Sequence, residues 1–444
     1  TSDHNTMHTT RRQYLQTIAG LGIGERVSVR FVDETPGDGE EYWTQHGYDD
    51  ANTRYAPKQT GPRKEVGVRW RTEIDGHYYE SAPAVANGSV YVGSTDGRMY
   101  SLDATDGTRE WSFQTDGSIY SSPTVSEGTV YFGSTDGNVY AVNKTDGSEV
   151  WTCEAGHSFR SSPVLADGTL YIGGKYRLLY AIDSASGKIK WSYGTGTRAG
   201  TYASPAIAGD TVYIGSDSDH RMYAIHAQKG TQRWSHETDG GIRSSPAVAD
   251  GVVYVGSNDG NVYALDTDDG TERWSFQTGQ RVRSSPAVTS DAVYVGSADS
   301  YVYAIDRADG DEIWSHETGR SVGTSPAVAG ETVYVGSMDS ALYALDRVDG
   351  TEQWSLGSID LMFSSPVVVD GTVYIGSVSG HVYALDADSA SGSGSLAIVD
   401  RDISQIIGSG IIGAIGGAGG YGAYRRLSTD EVSDQSTIGE NKTK

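Results

Sequence analysis

Apolar and polar positions alternate along this chain in short runs rather than at helical spacing. Residues 252–257 (Val-Val-Tyr-Val-Gly-Ser) and 261–266 (Asn-Val-Tyr-Ala-Leu-Asp) each read as a half-buried strand, and Asp-Gly pairs bound them where a tight turn needs left-handed backbone. The phrase repeats. A Tyr, an aliphatic residue or Phe, and a Gly begin at Tyr91, Tyr131, Tyr171, Tyr213, Tyr254, Tyr294, Tyr334 and Tyr374, giving eight units. Tryptophans stand at Trp70, Trp111, Trp151, Trp191, Trp234, Trp274, Trp314 and Trp354, spaced by 41, 40, 40, 43, 40, 40 and 40 residues. Four strands of about six residues and four turns of about four fill such a repeat, which is the size of one propeller blade. The fold expected is therefore all-β, an eight-bladed β-propeller over residues 66–388. The eighth unit lacks a following tryptophan, while Trp70 lacks preceding strands. A strand around residues 68–74 should complete the last blade and close the ring, leaving no open sheet edge.

The tryptophan accounts for the spacing. In residues 264–274 (Ala-Leu-Asp-Thr-Asp-Asp-Gly-Thr-Glu-Arg-Trp) one strand turns through Gly270 and returns with an indole placed to lie against a neighbouring blade. Burying a tryptophan removes roughly 150–250 Å² from water, about 4–6 kcal/mol as an upper estimate. This eleven-residue phrase resembles the tryptophan-docking motif of quinoprotein (PQQ) alcohol dehydrogenases and of their non-enzymatic relatives, such as the BamB-type lipoprotein of β-barrel assembly. Ahead of the ring, Asn52-Thr53-Arg54-Tyr55-Ala56-Pro57 is similar to a stretch that precedes the propeller in those dehydrogenases. For an enzyme, the resemblance implies a calcium ion held by Glu, Asn and Asp oxygens, an aspartate base, and a quinone stacked between a tryptophan and a disulfide of adjacent cysteines.

Composition narrows these implications. The single Cys153 cannot form that disulfide or a thiolate metal cluster, and almost every unit is a bare 40 residues without the long loops that house the cofactor. No cofactor or metal is expected, and PQQ with calcium enters only if the chain is a dehydrogenase. A balance of 34 Lys+Arg against 58 Asp+Glu, net −24, argues against general nucleic-acid binding, which needs a basic surplus. The acids are 39 Asp to 19 Glu with nine Lys among the bases, a balance resembling proteins of salt-loving archaea, where hydrated short carboxylates keep surfaces repelling. Residues 319–323 fit the nucleophile-elbow spacing and residues 194–199 a dinucleotide fingerprint, but neither opens a helix. His236 and His316 replace Phe113 and Phe276 in the same phrase, which suits a structural use.

In a regular array, specific binding must come from positions that break the consensus. Just before each Ser-x-Pro phrase stand Glu80, Tyr120, Arg160, Tyr202, Arg243, Arg283, Gly323 and Phe363, on connections that should open at the channel mouth. The fourth unit carries the three extra residues of the 43-residue interval, and the third replaces its Asp-Gly turn with Lys175-Tyr176-Arg177. With Arg160, Arg198, His220 and Arg221 these form a basic, aromatic-tinged patch on blades three and four; Arg243 and Arg283 extend it. The patch either neutralises local acid or recognises an anionic ligand or an acidic partner through arginine forks.

The ends suggest tethers. Arg11-Arg12 before a short apolar run resembles a Tat export signal over residues 1–31, followed by an extension at 32–65. Residues 389–402 read as a linker, 403–424 as 22 uncharged residues long enough to span a bilayer, and 425–444 as a polar tail that Arg425 and Arg426 would hold inside. Eight glycines in 403–424 equally suit a glycine-rich tail. The reading that follows is a monomeric, surface-anchored, non-enzymatic binding or assembly scaffold; a quinoprotein dehydrogenase and a purely structural cell-surface protein are the alternatives. Carbonate extraction of membranes should leave the full chain in the pellet, and its release into the supernatant would remove the anchor.

Overall fold

At residues 249–252 the chain reverses through Asp250 (φ 45°) and Gly251 (φ 78°), both in the left-handed region that a two-residue hairpin demands. That reversal joins the strands Ala247–Ala249 and Val252–Gly256; Asn261–Asp266 and Glu272–Gln277 follow, all antiparallel in sequence order. This sheet is one blade, and the computed structural model contains eight, covering residues 42–76, 81–175, 179–194, 201–357 and 364–390 of the chain. Each blade's strands alternate between two buried faces, which explains runs such as Val252–Gly256 in which every residue is buried. Among the described residues the helical content is a single 3₁₀ turn, Asp388–Ala390.

The tryptophans lock blade to blade. Trp234, in the outer strand of the fourth blade, donates its indole N–H to the Thr267 carbonyl (2.9 Å) in the outer turn of the fifth. Gly270 in that turn has φ 75°, and a Cβ there would stand 2.5 Å from the indole, so the turn must be glycine. Tyr213 stacks at a tilt on Trp234 (5.8 Å between centroids) and donates its hydroxyl to the same carbonyl. Equivalent indole bonds join Trp70 to Ala104, Trp111 to Lys144, Trp151 to Ser184, Trp191 to Ala227, Trp274 to Arg307 and Trp314 to Arg347. The glycine of six Tyr-x-Gly phrases (Gly93, Gly133, Gly173, Gly215, Gly256 and Gly296) is likewise steric: at Gly256 a Cβ would meet the Val282 side chain at 2.4 Å.

Ring closure is as the unpaired tryptophan predicts. The strand Gly67–Glu73 lies antiparallel to His381–Asp386, from Gly67 opposite Asp386 to Glu73 opposite His381, and supplies the outer strand of the eighth blade. The seam between the seventh and eighth blades is less regular. Trp354 has no following turn of its own repeat and donates instead to the Pro62 carbonyl (2.7 Å), as does Tyr334 (3.1 Å).

Residues 42–62 form a plug in the ring rather than a loose leader. Trp43 pairs with Val85 of the first blade. Successive carbonyls then accept the inner-strand amides of later blades: Thr44 from Val125, Asp50 from Ile207, Ala51 from Val248, Thr53 from Val288 and Arg54 from Val328. Tyr55–Ala56 adds a parallel strand to the seventh blade, and Gln59 accepts from the Asp370 amide of the eighth. The plug thus satisfies inner-edge donors that would otherwise need water. Residues 1–41 and 391–444 lie outside the described residues, and with them the export segment, linker, membrane span and tail expected above. No described helix is long and apolar enough to cross a membrane.

Two truncations should separate plug from closure. Deleting residues up to 74 should expose the last blade's edge and cause aggregation, whereas a soluble and equally heat-stable product would refute closure by this strand. Deleting only up to 57, which keeps the Pro62 carbonyl at the seam, should leave a folded ring whose Val125, Ile207 and Val248 amides exchange with solvent at least about a hundredfold faster by hydrogen exchange.

Candidate functional site

Each Ser-Ser-Pro phrase begins an inner strand, and its two hydroxyls act differently. The first clips its own blade, as where Ser244 Oγ accepts the Gly256 amide (3.1 Å). The second reaches the preceding blade: Ser162 Oγ accepts the Ser122 amide (2.9 Å), and Ser204, Ser245, Ser285, Ser325 and Ser365 repeat the bond at 2.8–3.0 Å. Ser122 itself accepts from Ala82 N–H (2.7 Å), so the belt runs through seven serines, with Ala82 in the first blade's place. The belt encircles a central cavity of about 180 Å³.

Above the belt, on the inter-blade connections, the cavity is rimmed by Tyr120, Arg160, Tyr202, Arg243, Arg281 and Arg283. The Arg160 guanidinium lies over Tyr120 (4.3 Å to the ring centroid) and faces Tyr202 (5.6 Å), while Arg243 lies over the other part of this ladder, 4.6 Å from Tyr202. Arg243 also pairs with Asp217 (2.9 Å), and Arg283 donates to Asn258 Oδ1 (3.1 Å). Among the described residues neither Arg160 nor Arg281 forms an ion pair. Among the described residues no carboxylate lines the cavity.

Below the belt the plug supplies the floor. His46 lines the cavity, with Nδ1 3.4 Å from Ser122 Oγ. Its buried Nε2 has no protein partner. Desolvation, with the neighbouring Arg54 charge, pushes this imidazole down to about 3, so it is neutral in the folded protein. Arg54 is fully buried behind it, donating to the Pro326 carbonyl (2.8 Å) and the His46 carbonyl (2.7 Å), with no carboxylate partner among the described residues. Burial lowers its guanidinium to about 9, which still leaves it charged at neutral pH.

The structure brings Arg160, Arg243 and Arg283 together at one mouth, across the third to sixth blades rather than on the third and fourth alone. Lys175, His220 and Arg221 do not line the cavity, and Arg221 is ion-paired with Glu237. Tyr176, Arg177 and Arg198 lie outside the described residues, as do Glu80 and Phe363. Arg281, Met338 and His46 were not anticipated. Arg281 stands in the same connection as Arg283, two positions earlier, where scanning a wider window would have found it. His46 sits in an extension without periodicity. His236 packs against Tyr263 and reaches the Gly270 carbonyl, a structural use.

Known proteins bear on this arrangement. The family of the outer membrane protein assembly factor BamB matches in overlapping stretches, 26–198, 135–269, 195–320 and 298–393. The chain belongs to that family. Its fold is similar to the crystal structure of quinohemoprotein alcohol dehydrogenase from Comamonas testosteroni (TM-score 0.69, 16% identity, 78% of this chain and 80% of that one). BamB from Moraxella catarrhalis is also similar (TM-score 0.61, 19% identity, 72% and 98%). In sequence, 75 residues are 37% identical to the 1-butanol dehydrogenase (cytochrome c) of Thauera butanivorans, 16% of this chain and only 11% of that protein.

Among the described residues of this BamB-like propeller, the cavity lining does not supply the groups that would hold a quinone with its calcium. No described lining residue is a carboxylate, and no three His, Cys, Asp or Glu side chains stand together among the described residues. Cys153 is buried in a blade core, where desolvation raises its thiol above the ordinary range. The eight repeat tryptophans are docked between blades, away from the lining.

The depressed His46 gives a pH signature. In the unfolded chain an imidazole titrates near 6.5. The folded state therefore binds fewer protons below that pH, and the stability due to neutral His46 is complete above about 6.5 and lost as pH falls toward 3, up to tenfold in the folding equilibrium per unit. Between about pH 6 and 4, His46→Gln should flatten the fall of the denaturation midpoint relative to wild type; parallel curves would show that this imidazole is not desolvated.

Proposed function

We propose that this chain is a binding and assembly scaffold without catalytic activity, which presents the channel mouth to a partner. The observation that carries the reading is the composition of that mouth: arginines held by tyrosines over a belt of serine hydroxyls. Such a surface is suited to binding, and among its described residues no carboxylate stands ready as base or metal ligand. The match to an outer membrane protein assembly factor supports the same use, since assembly factors work through partners. Export, anchoring through the C-terminal segment with the propeller outside, and a monomeric ring belong to this proposal, because a tethered scaffold meets its partners at the surface.

The second reading, a quinoprotein dehydrogenase, is favoured by the 75-residue match to 1-butanol dehydrogenase (cytochrome c) and by the fold shared with quinohemoprotein alcohol dehydrogenase. Both readings meet one experiment. The purified chain, given PQQ and calcium, should show neither a bound-quinone absorbance nor dye reduction with primary alcohols, while the tagged chain from detergent extracts in high salt should retain a stoichiometric protein partner. Dye reduction at enzymatic rates would overturn the scaffold, and the absence of any partner would leave a purely structural surface protein.

A further inference from the structure

Among the described residues, the polar side chains lining the cavity are arginines, tyrosines, serines and His46, all of which can donate a hydrogen bond. Each belt serine already accepts a backbone N–H from the preceding blade, so its own O–H is left to donate, and six such hydroxyls line the space. Stacking engages the face of the Arg160 guanidinium, which forms no ion pair among the described residues, and leaves its in-plane N–H edge for a ligand. On the floor His46 is neutral, and Arg54 lies buried behind it, bonded to carbonyls with no carboxylate partner among the described residues. The plug, bonded to the inner strands, lies on the far side of the cavity from the mouth.

This grading from a cationic rim to a neutral donor floor selects the ligand. A simple anion would use the rim and leave the serine belt to water. An extended acidic peptide satisfies both levels, with side-chain carboxylates at Arg160 and Arg281 and backbone carbonyls, or a terminal carboxylate, at the serine hydroxyls. The space of about 180 Å³ is too small for a folded element. Set against the ~10–15 Å³ that one water needs, it takes roughly two or three residues of an extended chain.

We propose that the well receives an acidic peptide tail or loop of a protein partner, inserted end-on with its carboxylates forked by the rim arginines. This rests on the scaffold reading and names the chemistry that such a partner would present. The net charge of −24 sharpens the selectivity, because an acidic segment is repelled elsewhere on the surface and attracted here.

The test is fluorescence anisotropy of a labelled hexaglutamate peptide with the full chain, with a hexalysine peptide for comparison and unlabelled citrate and inorganic phosphate as competitors. Binding of hexaglutamate should fall at least tenfold in Arg160→Gln/Arg281→Gln, two exposed positions, and partly recover in Arg160→Lys/Arg281→Lys, which keeps charge but loses the fork. Arg273→Gln, on the outer edge beside Asp266, should bind like wild type. Absent hexaglutamate binding, or equal loss in Arg273→Gln, would overturn the proposal. So would half-displacement by citrate or phosphate at concentrations below the peptide's own dissociation constant, since a small-anion site would then replace a peptide site. Retention of a co-purified partner by a chain that does not bind the peptide would overturn this proposal and leave the scaffold standing, so the two fail separately.

Discussion

The indole N–H of seven of the eight repeat tryptophans ends on a carbonyl in the next blade, and the geometry of the ring descends from that bond. It fixes the turn that receives it, because the facing glycine must have no Cβ and must hold a left-handed conformation, as Gly270 does against Trp234. It fixes the stacked tyrosine, which aims at the same carbonyl. With both in place, the angle between blades is set by covalent geometry and ring contact rather than by the softer packing of aliphatic side chains. Where the repeat runs out, the same demand persists: Trp354 takes its acceptor from Pro62, so the N-terminal extension is drawn into the ring by the bond that the missing turn would have supplied.

That recruitment links the outside of the ring to its centre. Having reached Pro62 at the seam, the chain before it runs along the inner strands and occupies their free amides. The channel becomes a well. Polar groups are then confined to one wall and one floor, and burial gives them their character: Arg54 is a cation held by carbonyls, and His46 is a neutral imidazole. The serine belt serves twice, stitching blade to blade through its acceptor lone pairs and facing the cavity with its hydroxyl protons. A binding surface thus arises from residues whose first use is cohesion.

The fold and part of the site were legible because both depend on local periodicity. Alternation set the strands, Asp-Gly pairs set the turns, and the 40-residue spacing of tryptophan set the number of blades; the unpaired Trp70 even revealed the closing strand. Arg160, Arg243 and Arg283 showed themselves as departures from a consensus at one register. What stayed hidden was contact between registers in different blades. Nothing in the order of residues says that Arg160 stacks on Tyr120 and Tyr202, that Lys175 and Arg221 stand away from the well, or that His46 rises into its floor.

The sequence alone therefore determined the repeating unit and its number, since both follow from hydrogen bonds and side-chain alternation within about 40 residues, and the unpaired Trp70 indicated how the two ends meet. Only the tertiary structure decided what lies at the centre. Eight blades bring their first strands to a common axis, so groups tens of residues apart become neighbours. An irregular segment with no periodicity of its own took the one place where the ring left backbone donors unpaired.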